Sequence, residues 1–219
     1  MLPLQGRVTE YAVRLECNSS VLAVFGSTVR LLIGTLFALC VAALVGLGTT
    51  WIALTQGQAF GGLSVGAWTA WPRHGTAGID PYARAMVARS GELPVGSGDG
   101  LAFQARHDDK GAALDGRCDV AVSGITPQAR YWTITLYDPD GGLVRNSVAR
   151  HGFTSHEIVR RANGTFEITV GPRSRPGNWL PTGGIERYAL VLRLYDTPIG
   201  AATRGREVTM PSVMRRSCP

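Results

Sequence analysis

Residues 131–144 read YWTITLYDPDGGLV. In an extended chain Tyr131, Thr133, Thr135 and Tyr137 fall on one side, and Trp132, Ile134 and Leu136 on the other. Period-two alternation in β-branched and aromatic residues is the pattern of a strand. Asp138, Pro139, Asp140 and Gly141 follow, with proline presetting φ near −65° and glycine supplying conformational freedom. The stretch predicts a strand, a tight turn and a return strand over residues 142–145.

Similar segments recur on both sides. Residues 101–106 place Leu101, Phe103 and Ala105 together, and the turn signal Asp108-Asp109-Lys110-Gly111 follows. Residues 118–123 alternate Cys118, Val120 and Val122 against Asp119 and Ala121. Residues 157–161 and 165–170 flank Asn163-Gly164, a strong hairpin turn signal. Residues 187–195 alternate Tyr188, Leu190, Leu192 and Leu194 against Ala189, Val191, Arg193 and Tyr195. One short helix is expected over residues 81–90, opened by an Asp80 N-cap with Pro81 at the first helical position and closed by Gly91. Repeated amphipathic helices, which an α/β fold needs, are missing. The fold class is therefore mainly β: an antiparallel β-sandwich or jelly-roll-like domain with one short helix, preceded by a single transmembrane helix.

The 24 residues from Leu31 to Leu54 carry no charge. At about 1.5 Å per residue they span a hydrocarbon core of about 30 Å. Arg7, Arg14 and Arg30 precede this run, and the next basic residue is Arg73. The bias puts the N-terminus in the cytoplasm and the remainder outside. A cleaved signal peptide is the competing reading, but its apolar region is shorter, about 7–15 residues. The sequence thus divides into a cytoplasmic segment (1–30), the span (31–54), a Gly/Trp/Pro-rich tether (55–79), the β domain (80–196) and a tail (197–219). Residues 1–28 show no clear element, and a non-standard start at Val29 would remove them. Trp68 and Trp71 in the tether either rest on the membrane surface or pack on the domain.

Cys17 falls in the cytoplasmic segment and Cys40 in the span, which leaves Cys118 and Cys218 as one pair in an oxidising compartment. Their bond would pin the tail to the domain. By chain entropy alone, a loop of about 100 residues is worth up to about 4.7 kcal/mol.

Four segments together resemble a bacterial family called domain of unknown function 1214: YWTITLYDPDGGLVRN (131–146), RHGFTS (150–155), PGNWLP (176–181) and YALVLRLYD (188–196). The resemblance covers about residues 81–196 and implies an antiparallel β-sandwich of jelly-roll type. Many members of that family carry a further domain upstream, numbered 1254, where this chain has a span and tether. The family assigns no catalytic residue, so none is transferred, and a bacterial inner-membrane location with a periplasmic domain is the expectation.

Composition excludes some chemistries. The net charge of +6 comes from 22 Lys and Arg spread among 16 Asp and Glu, without a basic and aromatic stripe, so nucleic-acid binding is not expected. His74, His107, His151 and His156 lack the spacing of a metal site. No cofactor is indicated, and no nucleophile elbow is present. Asp138 and Asp140 are close enough to suggest a carboxylate pair, but their turn needs them for backbone hydrogen bonds. The polar set that remains is Arg145, Asn146, Arg150, His151, Ser155, Arg173, Arg175, Asn178, Trp179 and Arg193, of which Arg150, His151, Arg173, Asn178, Trp179 and Arg193 are the candidate ligand-binding residues. All of these candidates but Arg193 fall in loops between strands, where binding residues concentrate. Arginines favour carboxylate or phosphate groups. Trp179 either stacks on a sugar or anchors its loop. Arg193 interrupts an apolar strand, either toward a ligand or toward solvent, Asp138 or Glu186.

Two functions compete. One is a membrane-anchored extracytoplasmic module that binds an anionic small molecule or glycan, or organises the envelope. The other is an envelope hydrolase or lyase, which requires Arg150, His151, Asn178 and Trp179 to converge on one pocket. Helix packing through Gly34, Gly46 and Gly48 is a weaker third, because their spacing is not a GxxxG repeat.

Overall fold

The structure is a computed structural model that describes residues 5–55, 62–73, 76–90, 98–199 and 208–218. It forms two compact units, 1–56 and 57–219. The first is one helix, α1 (Gln5–Thr55). Residues 5–27 therefore continue the helix instead of lacking an element; they contain no proline to end it. Within α1, Thr28–Ala53 is long and apolar enough to cross a membrane, at roughly 39 Å for a rise of 1.5 Å per residue. Its threonines suit an apolar medium. The Thr35 hydroxyl donates to Leu32 O (2.9 Å) and the Thr49 hydroxyl to Val45 O (2.8 Å), so neither needs an outside partner.

The second unit holds β1 (Leu63–Val65), β2 (Trp68–Ala70), α2 (Pro81–Ser90), β3 (Gly100–Ala105), β4 (Asp119–Gly124), β5 (Tyr131–Tyr137) and β6 (Gly152–Thr154). It continues with β7 (Phe166–Gly171), β8 (Asn178–Pro181), β9 (Ala189–Tyr195) and β10 (Ser212–Ser217). The strands form a six-stranded sheet, β1-β2-β3-β9-β5-β6, and a four-stranded sheet, β10-β4-β7-β8. Their facing sides make the core. In the larger sheet the register lines up Leu63, Ala70, Phe103, Leu192, Ile134 and Phe153 in one row across all six strands. In the smaller sheet Val213, Val122, Ile168 and Asn178 form the corresponding row. Trp132 of β5 meets Phe166 of β7 between the sheets, with ring centroids 5.4 Å apart.

Several expectations change in detail. Residues 63–70, read as tether, form β1 and β2 of the larger sheet, and Trp68 is fully buried with its indole N–H donating to Pro211 O (2.7 Å). Residues 142–145 do not return as a strand. The turn closes through Asp138 Oδ1, which accepts from Asp140 N (3.0 Å) and Gly142 N (2.7 Å), but only the single bridge Tyr137–Leu143 follows. β5 pairs instead with β9 and β6. Residues 157–161 likewise make only the bridge Arg160–Phe166. The smaller sheet is mixed, because β8 runs parallel to β7. Parallel neighbours normally need a long crossover. Here β8 starts opposite Ile168, so the link over residues 172–177 returns only a short way along the sheet edge. The helix α2 has the expected cap, with Asp80 Oδ1 accepting from Tyr82 N (2.9 Å) and Ala83 N (3.3 Å); Gly91 lies outside the described residues.

Leu192 is buried at the centre of the larger sheet. Leu192→Ala should lower the unfolding free energy by about 2–5 kcal/mol, while Val159→Ala, at an exposed position, should change it by less than about 0.5 kcal/mol. Urea unfolding with similar midpoints for the two variants would contradict the assigned core.

Candidate functional site

The open sides of the sandwich are fastened by polar groups. On one side Asp109 joins the sheets: Oδ1 accepts from Ala67 N (3.1 Å) and Oδ2 from Val213 N (2.8 Å). On the other side Arg150 lies over the Phe153 ring (5.4 Å) and donates from Nη1 to Trp179 O (3.1 Å), linking the β6 region to β8. Asn146 shapes the Arg150 loop, with Oδ1 accepting from Arg150 N (3.0 Å) and Nδ2 donating to Arg150 O (2.8 Å).

The sequence-selected residues have specific neighbours in this frame. His151 Nδ1 lies 3.0 Å from Val144 O; a carbonyl only accepts, so this nitrogen carries the proton. Asn178 is buried at an inner-face position, and its amide is fully engaged with backbone. Its Oδ1 accepts from Val159 N (2.8 Å), and Nδ2 donates to Val159 O (2.8 Å) and Glu167 O (3.0 Å). Trp179 donates from its indole nitrogen to Gly171 O (3.1 Å). Arg193 is on the outer face of the larger sheet, with its guanidinium 5.3 Å from the Tyr137 ring centroid. Arg150 and Trp179 therefore meet, but through a main-chain oxygen. His151 directs Nδ1 and Asn178 its side-chain amide at backbone, and Arg193 belongs to the other sheet.

Arg173 is the selected residue that opens into a cavity. A cleft of about 340 Å³ is lined by Arg117, Asp119, Arg173, Arg175, Ser217 and Cys218, with Gly116 and Gly184 at its wall. Two of the three arginines are held by carboxylates. Arg117 grips Asp115 through Nε–Oδ1 (3.0 Å) and Nη2–Oδ2 (2.7 Å), and Arg175 pairs with Asp119. Arg173 has no ion pair among the described residues. Cys218 is bonded to Cys118, 100 residues away, so the disulfide forms part of the cleft. Gly116 permits the close approach of the neighbouring loop: a Cβ there would lie 2.0 Å from Ile185 O. Asp119 and Ser217 escaped the sequence reading because their partners, Arg175 and Asp119, are 56 and 98 residues away, whereas Arg117 pairs locally with Asp115. Among the described residues no three His, Cys, Asp or Glu side chains gather as metal ligands.

The electrostatics of the wall follow from these contacts. The Arg117 guanidinium, then its backbone N–H, hold the Asp115 carboxyl down to about 2. Asp115 in turn raises Arg117. Burial pushes the Tyr188 phenol well above its ordinary value, and its hydroxyl has no hydrogen-bond partner among the described residues.

Residues 99–199 match a protein family described as "Protein of unknown function (DUF1214)". The resemblance read from the motifs holds over that range, which begins after α2 and reaches Ile199. No curated protein matches the chain. Among solved structures, the VPA0106 protein from Vibrio parahaemolyticus is similar in fold, with a TM-score of 0.52 and 19% identity over 62% of this chain and 35% of that one. An uncharacterized protein from Burkholderia cenocepacia aligns at 22% identity over 76% of this chain and 39% of its own, with a TM-score of 0.43. The chain spans little more than a third of the length of either solved protein.

The Asp115–Arg117 pair has a pH signature. The carboxyl is depressed below its ordinary 3.8, so its stabilisation is complete above about pH 4 and is lost as pH falls through about 2. Asp115→Asn should flatten the fall in urea-unfolding free energy between about pH 4 and pH 2. Superimposable acid limbs for the two proteins would refute the pairing.

Proposed function

We propose that the DUF1214-like sandwich of this chain is a binding module anchored to the bacterial inner membrane by one uncleaved span, with its N-terminus cytoplasmic and the sandwich periplasmic. The observation that carries this reading is the Cys118–Cys218 disulfide in a unit that follows an apolar helical stretch long enough to cross a bilayer. The arginines on the N-terminal side of the uncharged run Leu31–Leu54 support the orientation. An N-terminal apolar helix passes the same test as a signal sequence; the length of Thr28–Ala53 favours the uncleaved form.

Binding is favoured over catalysis by how the polar side chains are used. An envelope hydrolase or lyase at the edge loops would need free acid, base or nucleophile groups. There the Asn178 amide is committed to backbone, and His151, whose Nδ1–H is taken by a carbonyl, keeps Nε2 as its one available base, with no carboxylate or nucleophile hydrogen-bonded to it among the described residues. The cleft presents guanidiniums and carboxylates that pair with one another, which suits recognition of an anionic small molecule or glycan.

C-terminal fusions expressed in a bacterial host test the arrangement. An alkaline phosphatase fusion should be active and a green fluorescent protein fusion dark, with the product in carbonate-washed membranes and residues 28–53 still attached. A fluorescent fusion would refute the orientation. A released protein beginning after residue 54 would refute the anchor.

A further inference from the structure

We infer that the cleft around Arg173 is a phosphate-binding site. This rests on reading the sandwich as a binding module, and it names the chemistry of the ligand. Three guanidiniums reach the cleft from two chain segments, Arg117 before β4 and Arg173 and Arg175 between β7 and β8. Asp119 is the only carboxylate side chain in the lining among the described residues, and it is engaged by Arg175. Asp115 neutralises Arg117 with a two-point grip. Arg173 is left as a cation without a counter-charge among the described residues, beside a volume of about 340 Å³. That volume accepts a phosphate and part of the group that carries it.

The geometry favours a tetrahedral anion over a planar one. A guanidinium has five N–H donors, and a carboxylate gripping it from one side leaves others available. Arg117 and Arg175 are thus held in place by their carboxylates and still have donors to offer. The Ser217 hydroxyl, from β10, also lines the cleft, with its hydrogen directed at Asp119. Donors arriving from separate segments match oxygens that point in several directions, whereas a carboxylate is satisfied by one guanidinium edge. The frame is also pre-organised. Pro172 and Pro176 flank Arg173 and Arg175 and fix φ near −65° at both ends of the link. The disulfide holds Cys218 against the base of the cleft, and Ser217 Oγ lies 3.4 Å from Asp119 Oδ2. Little ordering remains to oppose binding.

The test uses the full chain in a maltoside detergent, ¹⁵N-labelled and titrated with inorganic phosphate in a chloride buffer. Saturable shifts are expected at the amides of Gly116, Arg173, Gly184 and Ser217, weakening as salt is raised. Arg173→Gln should weaken the affinity at least about tenfold with the remaining spectrum unchanged, and Arg173→Lys should recover part of it. A second arm places the chain in nanodiscs with and without phosphatidic acid. Shifts with inorganic phosphate point to a soluble phosphorylated ligand, and the same shifts with phosphatidic acid alone point to a lipid headgroup. Absence of saturable shifts in both arms, or an undiminished response in Arg173→Gln, would overturn the site. Such a failure would leave the membrane reading standing, and a cytoplasmic fusion result would leave the phosphate titration unaffected.

Discussion

The return of β10 onto β4 is the contact on which the rest of the sandwich depends. Without it, β4 would be an edge strand with a row of unpaired N–H and C=O groups, and Val213 would leave the inner row of the smaller sheet. Two fastenings hold it. Asp109 accepts from Val213 N and from Ala67 N, so one carboxylate ties β10 and the β1–β2 turn together. At the far end Cys218 is bonded to Cys118, next to the first residue of β4. The buried Trp68 indole adds its bond to Pro211 O just before β10 begins. Segments from both ends of the domain are thus locked into one core, and the lock forms one end of the arginine cleft.

Long strands were legible in the sequence because seven residues give several turns of the period-two pattern. β5 and β9 are placed as their alternation predicts, and each buries the face that carries Trp132 or Leu192. The short helix was legible from its cap alone. Three- and four-residue strands are too short to show a period, which is why β1, β2, β6 and β8 were not; β10 is six residues long but was read as tail, because it buries Val213 alone and carries no alternation. β8 also contains a buried asparagine and a proline, both signals of a loop. Pairing partners were less visible than strands. The DPDG turn has the predicted chemistry, yet the chain after it passes on to β6, where Leu136 N donates to His151 O. Turn residues specify the local reversal; the partner is chosen by which strand can bury its apolar side.

The candidate site shows the same division. Arg173 was visible as an arginine in a loop, and it lines the cleft. Its surroundings were not visible, because Asp119 and Arg175 are 56 residues apart and Cys118 and Cys218 are 100 apart. Asn178 and His151 drew attention as polar residues beside a tryptophan, but their atoms serve the backbone around them. A buried amide that satisfies three main-chain groups is a brace, and the cost of leaving those groups unpaired accounts for its place in the chain. In the cleft, by contrast, Arg117 and Arg175 are held by carboxylates.

The proposed compartment and the cleft both turn on one covalent bond. A sandwich on the oxidising side of a membrane can keep Cys118 joined to Cys218; one in a reducing cytoplasm would lose the bond and the fixed end of β10 with it. The direct measurement is the state of the cysteines in protein taken from the cells that make it, acid-quenched and alkylated before digestion. The account predicts a peptide pair joined through Cys118 and Cys218, with Cys40 recovered as an alkylated thiol. Recovery of Cys118 and Cys218 as two alkylated free thiols would contradict it.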